Sequence, residues 1–148
     1  MDKAQVLDAF RHSLETRVDE ANHELSLLDD AAAGETKSSA GDKYETAREM
    51  IAQARSMQSR LRNEAQLGLD WLARQDLSLA RETIGPGCVV STPQGTYLVG
   101  ILTDSVKTSD GQVQGITMAS PLGQALRGRR AGESIPWRNG FLRVEAVL

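Results

Sequence analysis

The sequence predicts an α+β chain, with an antiparallel helical hairpin followed by a small domain of short strands and one short helix. Three observations predict it. Two apolar series of helical period mirror each other, a small polar segment at Ala31–Gly41 separates them, and strand-like patterning begins at Cys88. Before the polar segment, apolar residues recur at Leu7, Phe10, Leu14, Val18, Ala21, Leu25 and Leu28. After it they recur at Tyr44, Ala47, Ile51, Ala54, Met57, Leu61, Ala65, Gly68 and Leu72. Steps of three and four keep each series on one helical face.

Folded about Thr36, Leu28 falls opposite Tyr44, Leu25 opposite Ala47, Ala21 opposite Ile51 and Val18 opposite Ala54. Leu14 with Met57 and Phe10 with Leu61 slip by one residue, and Leu7 with Ala65 restores the match. Such seams zip by knobs-into-holes packing. The arm from Leu7 to Leu28 spans roughly 30 Å at 1.5 Å per residue, so the polar loop is expected at the far end of a finger.

The first helix is expected from an N-cap at Asp2 to about Asp30, with Gly34 available to stop it in a left-handed conformation. Ser39 and Asp42 have capping-box spacing for the second helix, which should run to Leu72 or Gln75. Asp76–Gly87 is a junction, and Gly85-Pro86-Gly87 is a turn. Cys88–Ser91 and Thr96–Leu102 predict a strand pair around Pro93-Gln94-Gly95. Val113–Met118 follows as a third strand after the turn Ser109-Asp110-Gly111. Ser120 then caps a helix with Pro121 at its first position, ended by Gly128. Glu133–Trp137 and Gly140–Val147 close what should be a curled antiparallel sheet. The expected domains are 1–76, with its tip at about 31–43, and 77–148.

Of the 148 residues, 17 are Lys or Arg and 20 are Asp or Glu, a net charge of −3 that argues against a generic nucleic-acid binder. Low aromatic content suits a thin coiled coil. The lone Cys88 forms no internal disulfide and fits a reducing compartment, and no apolar run has the length of a membrane span. A soluble, cytoplasmic monomer is the simplest expectation, with no membrane partner. His12 and His23 lack Cys or His at ligand spacing, so no metal site is built from them. Cys88 reads as a core residue, Trp71 as packing near the hairpin base, and Trp137 as a cover for the sheet.

The second half resembles the C-terminal domain of the Gre transcript-cleavage factors of bacterial RNA polymerase. The residues that carry the likeness are Tyr97-Leu98-Val99-Gly100, the run Ile116–Leu126 with its Ser120-Pro121 helix start, and Gly128-Arg129-Arg130-Ala131-Gly132-Glu133. A helical hairpin ahead of such a domain matches the family order across nearly the whole chain. The resemblance implies a coiled-coil finger entering the polymerase secondary channel and an FKBP-like α+β body resting on the rim. It also implies a transcription-elongation role with RNA polymerase core as partner, and contact with the nascent RNA 3′ end. The chain would then be no enzyme itself, stimulating at most the polymerase's own cleavage. No cofactor is bound by the chain alone, and any Mg2+ is shared with the polymerase active site.

The tip departs from the family pattern. Tyr44, Ala47, Arg48 and Glu49 fit the second half of the family's cleavage motif, but Lys37, Ala40, Gly41 and Lys43 replace its polar and acidic first half. A hard cation needs carboxylate oxygens, which Lys37 and Ala40 do not provide. Glu35, Asp42 and Glu45 are the candidate substitutes, although Asp42 is equally explained as a helix cap and Glu45 as a first-turn acid. These substitutions favour modulation of elongation over cleavage.

Arg48, Arg55 and Arg62 lie seven apart on one flank of the second helix. Ordinary seam rules offer Glu15 to Arg55 and Asp8 to Arg62, while Arg48 faces the neutral Asn22 and is the best candidate to face RNA. Tyr44, Arg48, Ser120, Pro121, Arg127, Arg129 and Arg130 are the candidate partner-binding residues. For the last three, a solvated helix terminus explains the charge as well as contact with an acidic polymerase surface does. A Gre-like inhibitor, a prolyl isomerase and a helical-hairpin chaperone or adaptor are the competing classes. The aromatic set Tyr97, Trp137 and Phe141 is thin for an isomerase pocket.

Overall fold

The computed structural model describes residues 1–35, 41–76 and 81–148, and for residues 35, 41 and 42 the backbone alone. The chain divides into two compact units. One joins Met1–Arg11 to Trp71–Leu148, and the other is His12–Asp70.

The second unit consists of the greater part of two helices, α1, Lys3–Glu35, and α2, Gly41–Ala73, each of 33 residues, whose Lys3–Arg11 and Trp71–Ala73 ends belong to the first unit. Asp2 starts α1 as expected, its carboxylate accepting the Ala4 amide hydrogen at 3.0 Å. Gly34 does not stop α1, which continues to Glu35. A single glycine costs a helix only about 1 kcal/mol relative to alanine, and Ala31–Ala33 precede it. The expected Ser39 cap lies outside the described residues, as do the family-motif positions Lys37 and Ala40.

Two polar pairs tie the helices together. The Arg55 guanidinium meets the Asp29 carboxylate, and Arg62 donates to the Asn22 side-chain oxygen at 3.5 Å. Seven residues back along α1 accompany seven forward along α2, so the helices run antiparallel. The partners differ from those the sequence suggested. Arg55 takes Asp29 instead of Glu15, and Arg62 takes Asn22 instead of Asp8, which bonds Arg11 one turn away at 2.5 Å. Each observed pair is centred on residue 42, midway between 29 and 55 and between 22 and 62. The expected pairs were centred on residue 35, so each arginine takes a partner fourteen residues nearer the turn.

Burial along α2 also departs from the expected seam. Met57 and Leu61, expected in the seam, are 53% and 44% exposed. The inward face of α2 instead carries Ile51, Ala54, Gln58, Arg62 and Ala65. Leu7, Leu14, Ala65 and Leu72 are all buried, which fits a seam seven residues beyond the expected one, with Leu14 level with Ala65 and Leu7 with Leu72. A heptad pattern repeats on itself, so the mirror about Thr36 and the mirror one heptad on match nearly the same apolar positions. The helix ends at residues 35 and 41 are centred on residue 38 and not on Thr36, which favours the later register.

The first unit is built on a five-stranded sheet of order β3-β4-β2-β1-β7, with a separate two-stranded β5-β6. The strands are β1 Val89–Thr92, β2 Gly95–Val99, β3 Val106–Thr108, β4 Gly111–Ile116, β5 Ser134–Trp137, β6 Gly140–Arg143 and β7 Ala146–Val147. One helix, α3, Pro121–Leu126, lies between β4 and β5. The sheet is mixed and not wholly antiparallel, because β2 and β4 run parallel with Tyr97 beside Gln114. The cause is the strand β3, which the sequence reading missed: it forms the tight hairpin with β4 and turns β4 around. The last expected strand is also divided. Gly140–Arg143 pairs with β5, while Ala146–Val147 crosses to pair with β1.

Alternation along the strands gives two covered faces. Val90 and Val99 join Ile84, Cys88, Ile116, Leu126, Ile135, Leu142 and Val144 in one core, with Trp137 packed half-buried against it. Val89, Leu98 and Val113 point to the opposite face and are fully buried, as are Val6 and Phe10 near the start of α1. Cys88 is thus a core residue, as read from the sequence. Trp71, at the end of α2, lies so close to Gly100 that a Cβ there would collide with its ring. Among the described residues, no helix is long and apolar enough to cross a membrane.

Two measurements check this packing. Phe10→Ala should cost about 3–5 kcal/mol in chemical denaturation, as for other fully buried aromatics. In a double-mutant cycle, Asp29→Ala and Arg55→Ala should couple by about 0.2–1 kcal/mol, whereas Glu15→Ala and Arg55→Ala should be additive.

Candidate functional site

Around the hairpin turn, the first turns of α2 carry the described candidates. Tyr44 is half-buried on the inward face, while Glu45, Arg48 and Glu49 are exposed. Asn22, the neighbour expected for Arg48, is engaged by Arg62. Arg48 makes no ion pair with any described residue, whereas Arg55, on the same flank, is held by Asp29. An exposed guanidinium about two turns from the start of a helix, with no ion pair to a described residue, can dock on phosphate or carboxylate oxygens at little desolvation cost. The side chains of Glu35 and Asp42 lie outside the described residues. Among the described residues, no group of three or more His, Cys, Asp or Glu is placed to hold a metal ion.

The second group of candidates belongs to the other unit and surrounds α3. Ser120 is its N-cap: the hydroxyl oxygen accepts from the Gly123 amide at 3.0 Å and donates to the Thr117 carbonyl at 2.7 Å. Those bonds occupy the hydroxyl, so Ser120 sets the geometry of the turn while Pro121, beside it, is exposed. Gly123 has no room for a side chain, since a Cβ there would collide with the Thr117 carbonyl oxygen. The Ser-Pro-x-Gly pattern is therefore explained by the folding of this turn.

After α3 the chain is fixed in an extended arc. Arg127 is the C-cap, and Gly128 follows at φ 73°, a left-handed turn that favours glycine. Gly128 donates to the Ile84 carbonyl at 2.9 Å, and the Ile84 amide donates to the Arg129 carbonyl at 2.9 Å. Ile84 thus clamps the backbone between two arginines. Arg127, Arg129 and Arg130 are all exposed, with Arg129 lying 3.8 Å from the Glu133 carboxylate. The structure brings these three together on one pinned segment and leaves Arg127 and Arg130 without an ion-pair partner among the described residues.

Two features of this region were missed from the sequence. Phe141, counted there as a pocket aromatic, is 77% exposed. Arg138 was not singled out, yet it lies 5.7 Å over the Trp137 ring. The alternation Ile135-Pro136-Trp137 and Phe141-Leu142-Arg143 was the available signal, since it puts Pro136, Phe141 and Arg143 on the face opposite the buried Ile135 and Leu142.

No family model matches the chain. No curated protein matches it either. A solved structure titled "Structure of the transcription factor Gfh1" aligns with 94% of this chain and 93% of its own, at 21% identity and a TM-score of 0.37. A superposition that loose assigns no function.

Ser120→Ala should lower stability by about 1 kcal/mol through loss of the cap, measured by thermal unfolding, and should leave any partner affinity unchanged.

Proposed function

We propose that this chain is a transcription elongation factor of the Gre type, which binds RNA polymerase core through the secondary channel and modulates elongation. One observation supports this above the others: two antiparallel 33-residue helices are joined by a connection of only five residues, 36–40. Each helix is roughly 50 Å long at 1.5 Å per residue, which suits a narrow, deep pore better than a flat surface.

In this reading the apex acts by charge and bulk. Arg48, which makes no ion pair with any described residue, meets phosphate oxygens of a displaced RNA 3′ end. Glu45 presents a carboxylate nearby, and Glu35 and Asp42 flank the turn in sequence. The magnesium is the polymerase's own, and this chain's carboxylates would at most adjust the water around it. With Lys37, Ala40, Gly41 and Lys43 at the turn, the balance of charge favours obstruction of the active centre over assisted cleavage.

The test is a stalled, backtracked elongation complex supplied with magnesium. The expected result is slower synthesis with RNA of unchanged length. Shortened RNA would identify a cleavage factor, in which case Glu45→Ala and Asp42→Ala show which acid serves. Arg48→Ala should weaken either effect about tenfold, the size of one lost charge-assisted contact. No effect of the unaltered chain on synthesis or RNA length would overturn the proposal.

A further inference from the structure

We infer that the outer face of the β5–β6 hairpin, with the arginine segment that runs into it, is the surface by which this unit docks on an acidic, apolar-pocketed face of its protein partner. The inference rests on the reading of RNA polymerase core as that partner, and it names the residues that would make the contact.

The hairpin has two unlike faces. Register pairs Ile135 with Leu142 on one side, and both are buried in the core. On the other side Pro136 pairs with Phe141 and Ser134 with Arg143, and all four residues are exposed. A phenyl ring left 77% exposed loses most of the stabilisation that burial would supply. Its neighbour Pro136 adds a second apolar surface, and together they form a small raised apolar centre.

Charge surrounds that centre. Residues 127–143 contain Arg127, Arg129, Arg130, Arg138 and Arg143 against the single acid Glu133, a net charge of +4 in a chain whose total is −3. The backbone joins these residues into one surface. Gly132 donates to the Val144 carbonyl at 2.7 Å and Val144 donates to the Glu133 carbonyl at 2.8 Å, so the arginine loop runs along the end of β6 beside Arg143. Arg129 is partly neutralised by Glu133, and Arg138 lies over Trp137. Arg127, Arg130 and Arg143 make no ion pair with any described residue.

This composition favours protein over nucleic acid. Aromatic side chains and arginine are enriched at protein interfaces where lysine is depleted, and residues 127–143 contain no lysine. Guanidinium forks match carboxylates in bidentate pairs. A single-stranded nucleic acid is gripped by several rings in succession. Here the Trp137 ring packs against the core under Arg138, leaving Phe141 as the one exposed ring of the hairpin.

The experiment measures binding of the fluorescently labelled full chain to core RNA polymerase, with Phe141→Ala, Arg143→Glu and Arg130→Glu compared at low and high salt. Circular dichroism verifies that each variant is folded, and Lys107→Ala, on β3, is the control outside the surface. Phe141→Ala should weaken binding about tenfold at either salt. Each charge reversal should weaken it by a similar factor at low salt and by less at high salt. Folded variants that bind within twofold of the unaltered chain would overturn the inference while leaving the proposed function standing. If the unaltered chain does not bind polymerase, the proposed function fails and this inference with it. If the chain alone binds short single-stranded RNA and Phe141→Ala abolishes that binding, the surface is a nucleic-acid site and the protein-docking inference is wrong.

Discussion

The constraint on which the hairpin depends is the antiparallel closure of α1 on α2, held in register by Asp29–Arg55 and Asn22–Arg62. Neither pair supplies much energy, because exposed ion pairs contribute at most about 1 kcal/mol. Their role is selection. A seam with a seven-residue repeat can slide by seven residues and still bury similar side chains, so the flanking charges and the helix ends decide where it stops. In the seam as it stands, Met57 and Leu61 are exposed and Gln58 and Arg62 are half-buried. The same choice engages Asn22 with Arg62 and leaves Arg48 without an ion pair to any described residue. The chemistry assigned to the apex thus follows from the register.

The sheet unit presents its charges by a different device. Short elements with strict local rules hold them in place: a serine cap, a helix glycine without room for Cβ, a left-handed glycine after the C-cap, and Ile84 clamping both sides of Gly128. Arginines on such a backbone lose little main-chain freedom when a partner arrives, which lowers the entropic cost of binding. Because β5 and β6 form a separate two-stranded sheet, one hairpin can complete the core with Ile135 and Leu142 while its back carries Phe141 and Arg143.

Much of this was legible in the residues. The two helices, the Asp2 cap, the Ser120 cap and the burial of Cys88 each follow from local preferences or from period, and these do not depend on distant contacts. What could not be read was whatever needed two distant segments to be compared. The slip at Leu14–Met57 and Phe10–Leu61 in the expected seam was the visible trace of a wrong register, and the polar Gln58 and Arg62 hid the right one. The strand β3 is only three residues long and carries little pattern of its own, so the parallel pairing of β2 with β4 went unseen. The segment Arg127–Arg130 was found because charge is visible in a sequence. Phe141 was misplaced because an aromatic is assumed to be inside until the strand alternation is assigned.

The register is the central claim, and nuclear Overhauser contacts between methyl groups test it most directly. In the protein labelled at Leu, Met and Ala methyls, Leu14 should show contacts to Ala65, and Met57 should show none to Leu14. Contacts from Leu14 to Met57, with none to Ala65, would place the fold-back one heptad earlier and contradict the account of the hairpin and of Arg48.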